Sequence, residues 1–292
     1  MRYDSAAILT DLDGTLFNSH GEVSADDRAA IEEFIGGGGI FAISTGREPG
    51  NIMLHLPDLT PNGPSIVLNG AGIYDFTAKK YLSTVLIDRD AAADVLRYCQ
   101  EQDIPLDQQI YTNDGIFYAS PLEIAEPGFL KIHQPTSFLP LSELIKKDWF
   151  KVVFLERKEG ALKPMRDYLE RKGYEKRISL TEGWTDVVEA GRYEELLPRG
   201  VNKGTAVNTL KALPAYEGRT VFAVGDYWND LEMLKAADIP CAPENAIREI
   251  KEACRYILPS HNDSPMAHLI RQVIPRDPSA RRYYESYIKR RR

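Results

Sequence analysis

The sequence predicts an α/β fold: a doubly wound parallel sheet with a second, α+β domain inserted into it. Short apolar runs at Ala6–Thr10, Ile40–Ile43, Ser65–Leu68 and Thr220–Val224 each stop at a polar or glycine-rich segment, the pattern of strands buried on both faces. Helix-like stretches alternate with these runs, as parallel βαβ units require. Between about Thr84 and Glu189 the texture changes to helices mixed with strands of alternating polarity. This assigns residues 1–83 and 190–292 to the parallel-sheet core and 84–189 to the insertion.

Taken in order, Ala6-Ala-Ile-Leu-Thr10 forms the first strand and is broken by Asp11. Ser24 caps a helix to about Ile35, with Asp27 at the third helical position as its capping-box partner. Gly36 to Gly39 ends that helix; no Lys-Ser/Thr follows, so these glycines are a stop rather than a phosphate loop. The second strand ends in Ser44-Thr45-Gly46-Arg47 and the third in Asn69-Gly70-Ala71-Gly72. Within the insertion, Asp90–Gln102 and Leu162–Lys172 read as helices, and Gly115–Tyr118 and Lys151–Leu155 as strands of an open-faced antiparallel sheet. The parallel pattern then resumes with a helix over Lys203–Leu213, the strand Thr220–Val224, a helix over Asp230–Ala237, and short strands at Ile239 and Tyr256–Leu258.

Composition narrows the function class. The chain of 292 residues has a net charge of −7 and a pI near 5.4, which argues against a nucleic-acid or basic membrane-surface binder. A basic C-terminal run, Arg281-Arg…Lys289-Arg-Arg-Arg292, reads as a solvated end. The three cysteines form no CxxC pair and the five histidines are scattered without ligand-like spacing. With no signal-like or membrane-spanning run, the expectation is a soluble, cytoplasmic protein with no nucleic acid or membrane partner.

The residues suited to chemistry stand at strand ends. Asp11 and Asp13, two apart on an extended segment, point the same way. Such a pair suits a nucleophile, a general acid/base and Mg²⁺ ligation, although Asp-x-Asp-Gly also occurs in plain turns. Gly14 permits the tight turn that presents N–H groups to a phosphate. Asp226, after the Thr220–Val224 strand, is placed to ligate a metal, and Asn229 and Asp230 open the next helix, where capping alone also explains them. Thr45 offers a hydroxyl and a backbone N–H to a phosphate oxygen. Lys203 at a helix start opposes the helix dipole, so a buried anion would account for it. All of these fall on the carboxyl side of the parallel sheet, where open α/β sheets bind ligands.

In this order the motifs resemble the haloacid dehalogenase superfamily of phosphohydrolases, in its Cof-type branch with a large α+β cap. Asp11-Leu-Asp-Gly-Thr-Leu16, Ser44-Thr-Gly-Arg47, Val201-Asn-Lys-Gly204 and Gly225-Asp-Tyr-Trp-Asn-Asp230 resemble its four motifs, and Leu68-Asn-Gly-Ala71 resembles the branch's signature before the cap. The resemblance implies that Asp11 forms an aspartyl-phosphate while Asp13 serves as acid and then base. It implies Mg²⁺ held by Asp11, Asp13 (through its carbonyl) and Asp226, with Asp230 supporting. Gly14, Thr15, Thr45, Gly46, Asn69, Lys203 and Asn229 would surround the phosphate, and Lys203 with Mg²⁺ would keep Asp11 ionised. The expected substrate is a small phosphate ester such as a sugar phosphate, with Tyr111, Tyr118 and Trp184 as candidate cap selectors. A phosphomutase and a non-catalytic phosphate-binding protein are the alternatives. One departure is Ser264 in His261-Asn-Asp-Ser-Pro265, where the family usually has glycine.

Overall fold

The first strand, β1 (Ala6–Thr10), is buried at every position, and its neighbours explain why. The described residues of this computed structural model are 2–120, 136–184 and 191–280. The elements before the insertion are β1, α1 (Ala25–Gly36), β2 (Ile40–Ile43), α2 (Pro49–His55), β3 (Ser65–Val67), β4 (Gly72–Asp75) and β5 (Lys80–Thr84). The inserted unit contains α3 (Arg89–Glu101), β6 (Leu106–Thr112), β7 (Gly115–Tyr118), β8 (Thr136–Phe138), β9 (Trp149–Glu156), α4 (Leu162–Arg171), β10 (Ile178–Trp184) and β11 (Arg192–Pro198). The core resumes with α5 (Lys203–Lys211), β12 (Thr220–Val224), α6 (Leu231–Ala236), β13 (Ile239–Pro243), α7 (Arg248–Ala253) and β14 (Tyr256–Leu258).

The core sheet runs β14-β13-β12-β1-β2, with every neighbouring pair parallel. The chain leaves β1 toward β2 on one side, and β12 pairs with its other side. Strand order therefore reverses at β1/β12, and the loops there diverge to leave a crevice at the carboxyl ends. One sheet face packs Ala7, Leu9, Ala42, Val221 and Ala223 against Val207 and Leu210 of α5 and Leu234 of α6. At the start of α1, Ser24 Oγ accepts from Asp27 N at 3.0 Å. The expected reciprocal half of the capping box gives way to a long-range bond, because Asp27 Oδ1 accepts from Ala267 N at 2.7 Å.

The inserted unit is a six-stranded sheet, β10-β11-β9-β6-β7-β8, antiparallel except for the parallel pair β7/β8. Its apolar face sets Leu106, Ile110, Val152, Phe154 and Leu196 against Leu96 of α3 and Met165 of α4. By strand alternation the opposite face carries Gln109, Tyr111, Lys151 and Glu195. The chain divides into Met1–Ser83 with Asn202–Arg292, and Thr84–Val201. The second boundary thus lies twelve residues beyond the expected 189/190. The cause is β11, whose seven residues all pair with β10 and whose inner side joins β9. Tyr111 and Tyr118 are buried in this unit. The side chain of Trp184 and the basic run at 281–292 lie outside the described residues.

Candidate active site

Asp11 follows β1 directly, and its N–H donates to Val224 O of the neighbouring β12 at 2.9 Å. Both strand ends are thereby clamped together, and Asp226 emerges two residues after Val224. Lys203, the first residue of α5, is 1% exposed; its Nζ lies 3.0 Å from Asp11 Oδ1 and 2.6 Å from Asp230 Oδ1. The helix start that carries it is secured by a capping box: Asn202 Oδ1 accepts from Thr205 N at 2.8 Å and Thr205 Oγ1 from Asn202 N at 3.1 Å. The placement anticipated for a lysine opposing its helix dipole is met by two buried carboxylates. Asp230 Oδ2 accepts from Asp226 N at 3.0 Å and Tyr227 N at 3.3 Å, so this one carboxylate fixes both the lysine and the loop that carries Asp226.

Asp11, Asp226 and Asp230 each present a carboxylate oxygen within 4.8 Å of the others. Burial first, then Asp230, pushes the Asp11 carboxyl well above the usual range, although Lys203 pulls it down. Lys203 thus favours the ionised form of Asp11, as expected, while burial and Asp230 oppose it. Burial and Asp230 likewise raise Asp226 to about 7. For Lys203, burial pulls the pKa down, but Asp11 and Asp230 outweigh it and leave it raised. Three acids face one cation in a shielded crevice, and all three donors are hard oxygens. That set fits a divalent cation such as Mg²⁺.

Two residues expected at the phosphate also support Asp226. Thr15, fully buried, donates its hydroxyl to Asp226 Oδ1 at 2.8 Å. Gly14 has φ +72°, and a Cβ there would collide with Asp226 Oδ2, so glycine supplies both the turn and the space for this carboxylate. Thr45 is buried at the end of β2, but its N–H donates to Ile66 O at 3.1 Å. Only its hydroxyl remains of the pair expected to reach a phosphate oxygen, and Oγ1 also accepts from Arg47 N at 3.2 Å. Gly46 lies against the Asn69 amide.

The backbone of Asn69 buttresses the loop: its N–H donates to Thr45 O at 3.0 Å, and Leu68 N donates to Arg47 O at 3.1 Å. To do this Leu68, Asn69 and Gly70 all take positive φ, at 56°, 52° and 103°. A Cβ at Gly70 would strike Asn202 O, so the Asn-Gly-Ala segment locks the Thr45 loop against the start of Lys203's helix. Asn229 is half-buried in the turn Trp228–Asp230. The Asp13 side chain is 60% exposed and lies outside the buried carboxylate cluster.

The residues missed from sequence are those that hold the loops. Arg47 donates from Nη2 to Asp13 Oδ1 at 2.6 Å and from Nε to Asp13 Oδ2 at 2.9 Å. Asn245 donates to Gly14 O at 2.8 Å and accepts from His261 N at 2.9 Å. Ser264 takes the left-handed conformation that glycine would favour, at φ 55°, and its hydroxyl meets Ser24 Oγ at 2.9 Å. Arg47 stands within a quoted motif; Asn245 carries no local signal at all.

A family model described as haloacid dehalogenase-like hydrolase matches residues 8–270. The chain belongs to this family. Among curated proteins it is 26% identical over 295 residues to a 5-amino-6-(5-phospho-D-ribitylamino)uracil phosphatase, YwtE, of Bacillus subtilis, covering 91% of this chain and 97% of that one. It is also 26% identical to the putative phosphatase YxeH of the same organism, over 91% and 97% of the two chains. Among solved structures, TM0651 from Thermotoga maritima superposes with a TM-score of 0.77 at 22% identity, covering 92% and 97%. The subclass IIB sugar phosphatase BT4131 superposes at 0.72 and 17% identity, over 91% and 97%. As a member of the haloacid dehalogenase-like hydrolases, the chain is a phosphoric monoester hydrolase. Among the described residues no helix is long and apolar enough to cross a membrane.

Proposed function

We propose that this hydrolase is a Mg²⁺-dependent phosphatase that cleaves a small phosphate monoester, with a sugar phosphate as first candidate, through a phosphoryl-Asp11 intermediate. The observation that carries the reading is the buried Asp11–Lys203–Asp230 chain with Asp226 beside it. A binding protein needs no nucleophile held against a lysine at the mouth of a sheet crevice. The phosphatase names among the relatives favour transfer to water over return of the phosphoryl group to substrate. A cytoplasmic location belongs to the same reading, supported by three cysteines that are free thiols.

In the first step an Asp11 carboxylate oxygen bonds to phosphorus as the ester P–O bond breaks, and Asp13 gives its proton to the leaving oxygen. In the second, water bonds to phosphorus as the acyl phosphate P–O bond breaks, and Asp13 takes the proton back. Lys203 offsets charge on the nucleophile and on the phosphoryl oxygens, and the Thr45 hydroxyl donates to one of them. Asp11, Asp226 and Asp230, with the Asp13 carbonyl, are the groups that would hold Mg²⁺, whose charge neutralises the phosphoryl oxygens. Hydrolysis of p-nitrophenyl phosphate with and without Mg²⁺ tests this. We expect Mg²⁺-dependent release of phosphate and at least a roughly thousandfold loss in Asp11→Asn. Unchanged turnover in that variant would remove Asp11 as nucleophile.

A further inference from the structure

We propose that Arg47 is the positioning residue for Asp13, a role that rests on the phosphatase reading above. Its guanidinium binds both Asp13 oxygens side by side, at 2.6 and 2.9 Å. The remaining edge is occupied as well: Nη1 donates to Asn51 Oδ1 at 2.8 Å and lies 3.2 Å from His55 Nδ1. The Phe17 ring lies beneath the guanidinium carbon at 5.6 Å. Three hydrogen bonds thus engage a group with five N–H donors, His55 lies beside it, and the backbone of Arg47 is held at both ends by Thr45 Oγ1 and Leu68 N.

This arrangement is poorly suited to stabilising the fold. An ion pair whose acid is 60% exposed contributes little. It is well suited to orientation. Asp13 stands on a surface turn where its carboxylate would otherwise sample several rotamers, and a bidentate fork fixes both oxygens at once. The fork costs little further entropy on binding, because Asn51 and His55 on α2 and Phe17 after β1 already hold it. General acid catalysis depends on such placement, since the proton must reach the leaving oxygen within hydrogen-bonding distance. Arg47 also shares its loop with Thr45, so the hydroxyl proposed to meet the phosphoryl group and the fork that aims the acid are fixed by one short segment.

Leaving groups separate this role from others. An alkyl phosphate such as glycerol 2-phosphate needs a proton on its departing oxygen, whereas p-nitrophenyl phosphate does not. The measured quantity is the ratio of kcat/KM for the alkyl ester to that for the aryl ester, with Mg²⁺, in wild type, Arg47→Ala, Arg47→Lys, Asp13→Asn and the Arg47→Ala/Asp13→Asn double variant. We expect Arg47→Ala to lower the ratio by roughly tenfold or more, within the span that general acid catalysis supplies. Arg47→Lys should recover only part of it, because an ammonium cannot bind both oxygens in a plane. In the Asp13→Asn background, Arg47→Ala should change the ratio no further. Equal losses on both esters with raised KM would instead make Arg47 a phosphoryl ligand and overturn the proposal, as would an unchanged ratio. If wild type hydrolyses neither ester, the phosphatase reading itself falls and this role falls with it.

Discussion

Lys203 in the core and Lys151 in the inserted unit are both buried, at 1% and 2% exposure, and each lies 2.6 Å from a carboxylate. Lys203 faces Asp11 and Asp230, with Asp226 alongside, so three acids gather around one cation. Lys151 meets Glu195 across the sheet and rests 4.4 Å from the centre of the Tyr111 ring. The second group contains an opposite-charge pair with an aromatic wall, an arrangement that organises a sheet face. The first is deliberately unbalanced, and imbalance is what a cation or phosphate site requires. Burial of a lysine beside an acid does not distinguish structure from catalysis; the excess of acids does.

Within this contrast the largest effect is expected at Lys203. Lys203→Met should cost roughly a hundredfold or more in kcat/KM toward p-nitrophenyl phosphate, the range seen when an electrostatic stabiliser is removed. Lys151→Met should leave turnover per folded molecule within about threefold but lower thermal stability, since it breaks a buried ion pair. The double variant Lys151→Met/Glu195→Leu should regain most of that loss. If Lys151→Met abolishes turnover of the folded protein, the distinction fails.

Next in size is the response to metal. At a Mg²⁺ concentration a hundred times its dissociation constant, wild type should gain about 2.7 kcal/mol of stability, read as a rise in Tm. Asp226→Asn should lose most of that rise, and Lys151→Met none of it. A Tm insensitive to Mg²⁺ in wild type would remove the charge argument.

Asp27 offers a third environment, a buried acid with a backbone N–H as its ligand. Burial raises it to about 6. Because the folded form holds this proton more tightly than the unfolded chain does, its contribution is greatest below pH 4. That contribution is lost as pH rises from about 4 to 6, and then stays flat. The loss corresponds to roughly 3 kcal/mol at 1.36 kcal/mol per pKa unit. Asp27→Asn should flatten that part of the pH–stability curve from urea melts; an unchanged slope would assign it to other groups. The smallest effect is expected for Ser264→Gly. Relief of a left-handed serine, about 1 kcal/mol, is offset by loss of the bond to Ser24, leaving stability within about 0.5 kcal/mol.

Much of this molecule is legible in one dimension. Strands buried on both faces are continuous apolar runs, so Ala6–Thr10, Ile40–Ile43 and Thr220–Val224 announce themselves, and Asp11, Thr45 and Asp226 fall just beyond them by simple adjacency. A parallel sheet then brings those ends to one edge whatever lies between. What adjacency does not determine is which donor meets which acceptor once the loops converge. Thr15 turned out to serve Asp226, 211 residues away. The Thr45 N–H is spent on Ile66, and the Asp13 carboxylate is held by Arg47. The β11 strand joined the inserted sheet through pairs that no local pattern specifies. The chain's periodicity therefore determined the strands, the sheet type and the residues delivered to its edge, because those follow from burial along a short segment. Only the tertiary structure decided the partners, the unit boundary and the surplus of buried acids, because each depends on desolvation and hydrogen bonding between segments distant in sequence.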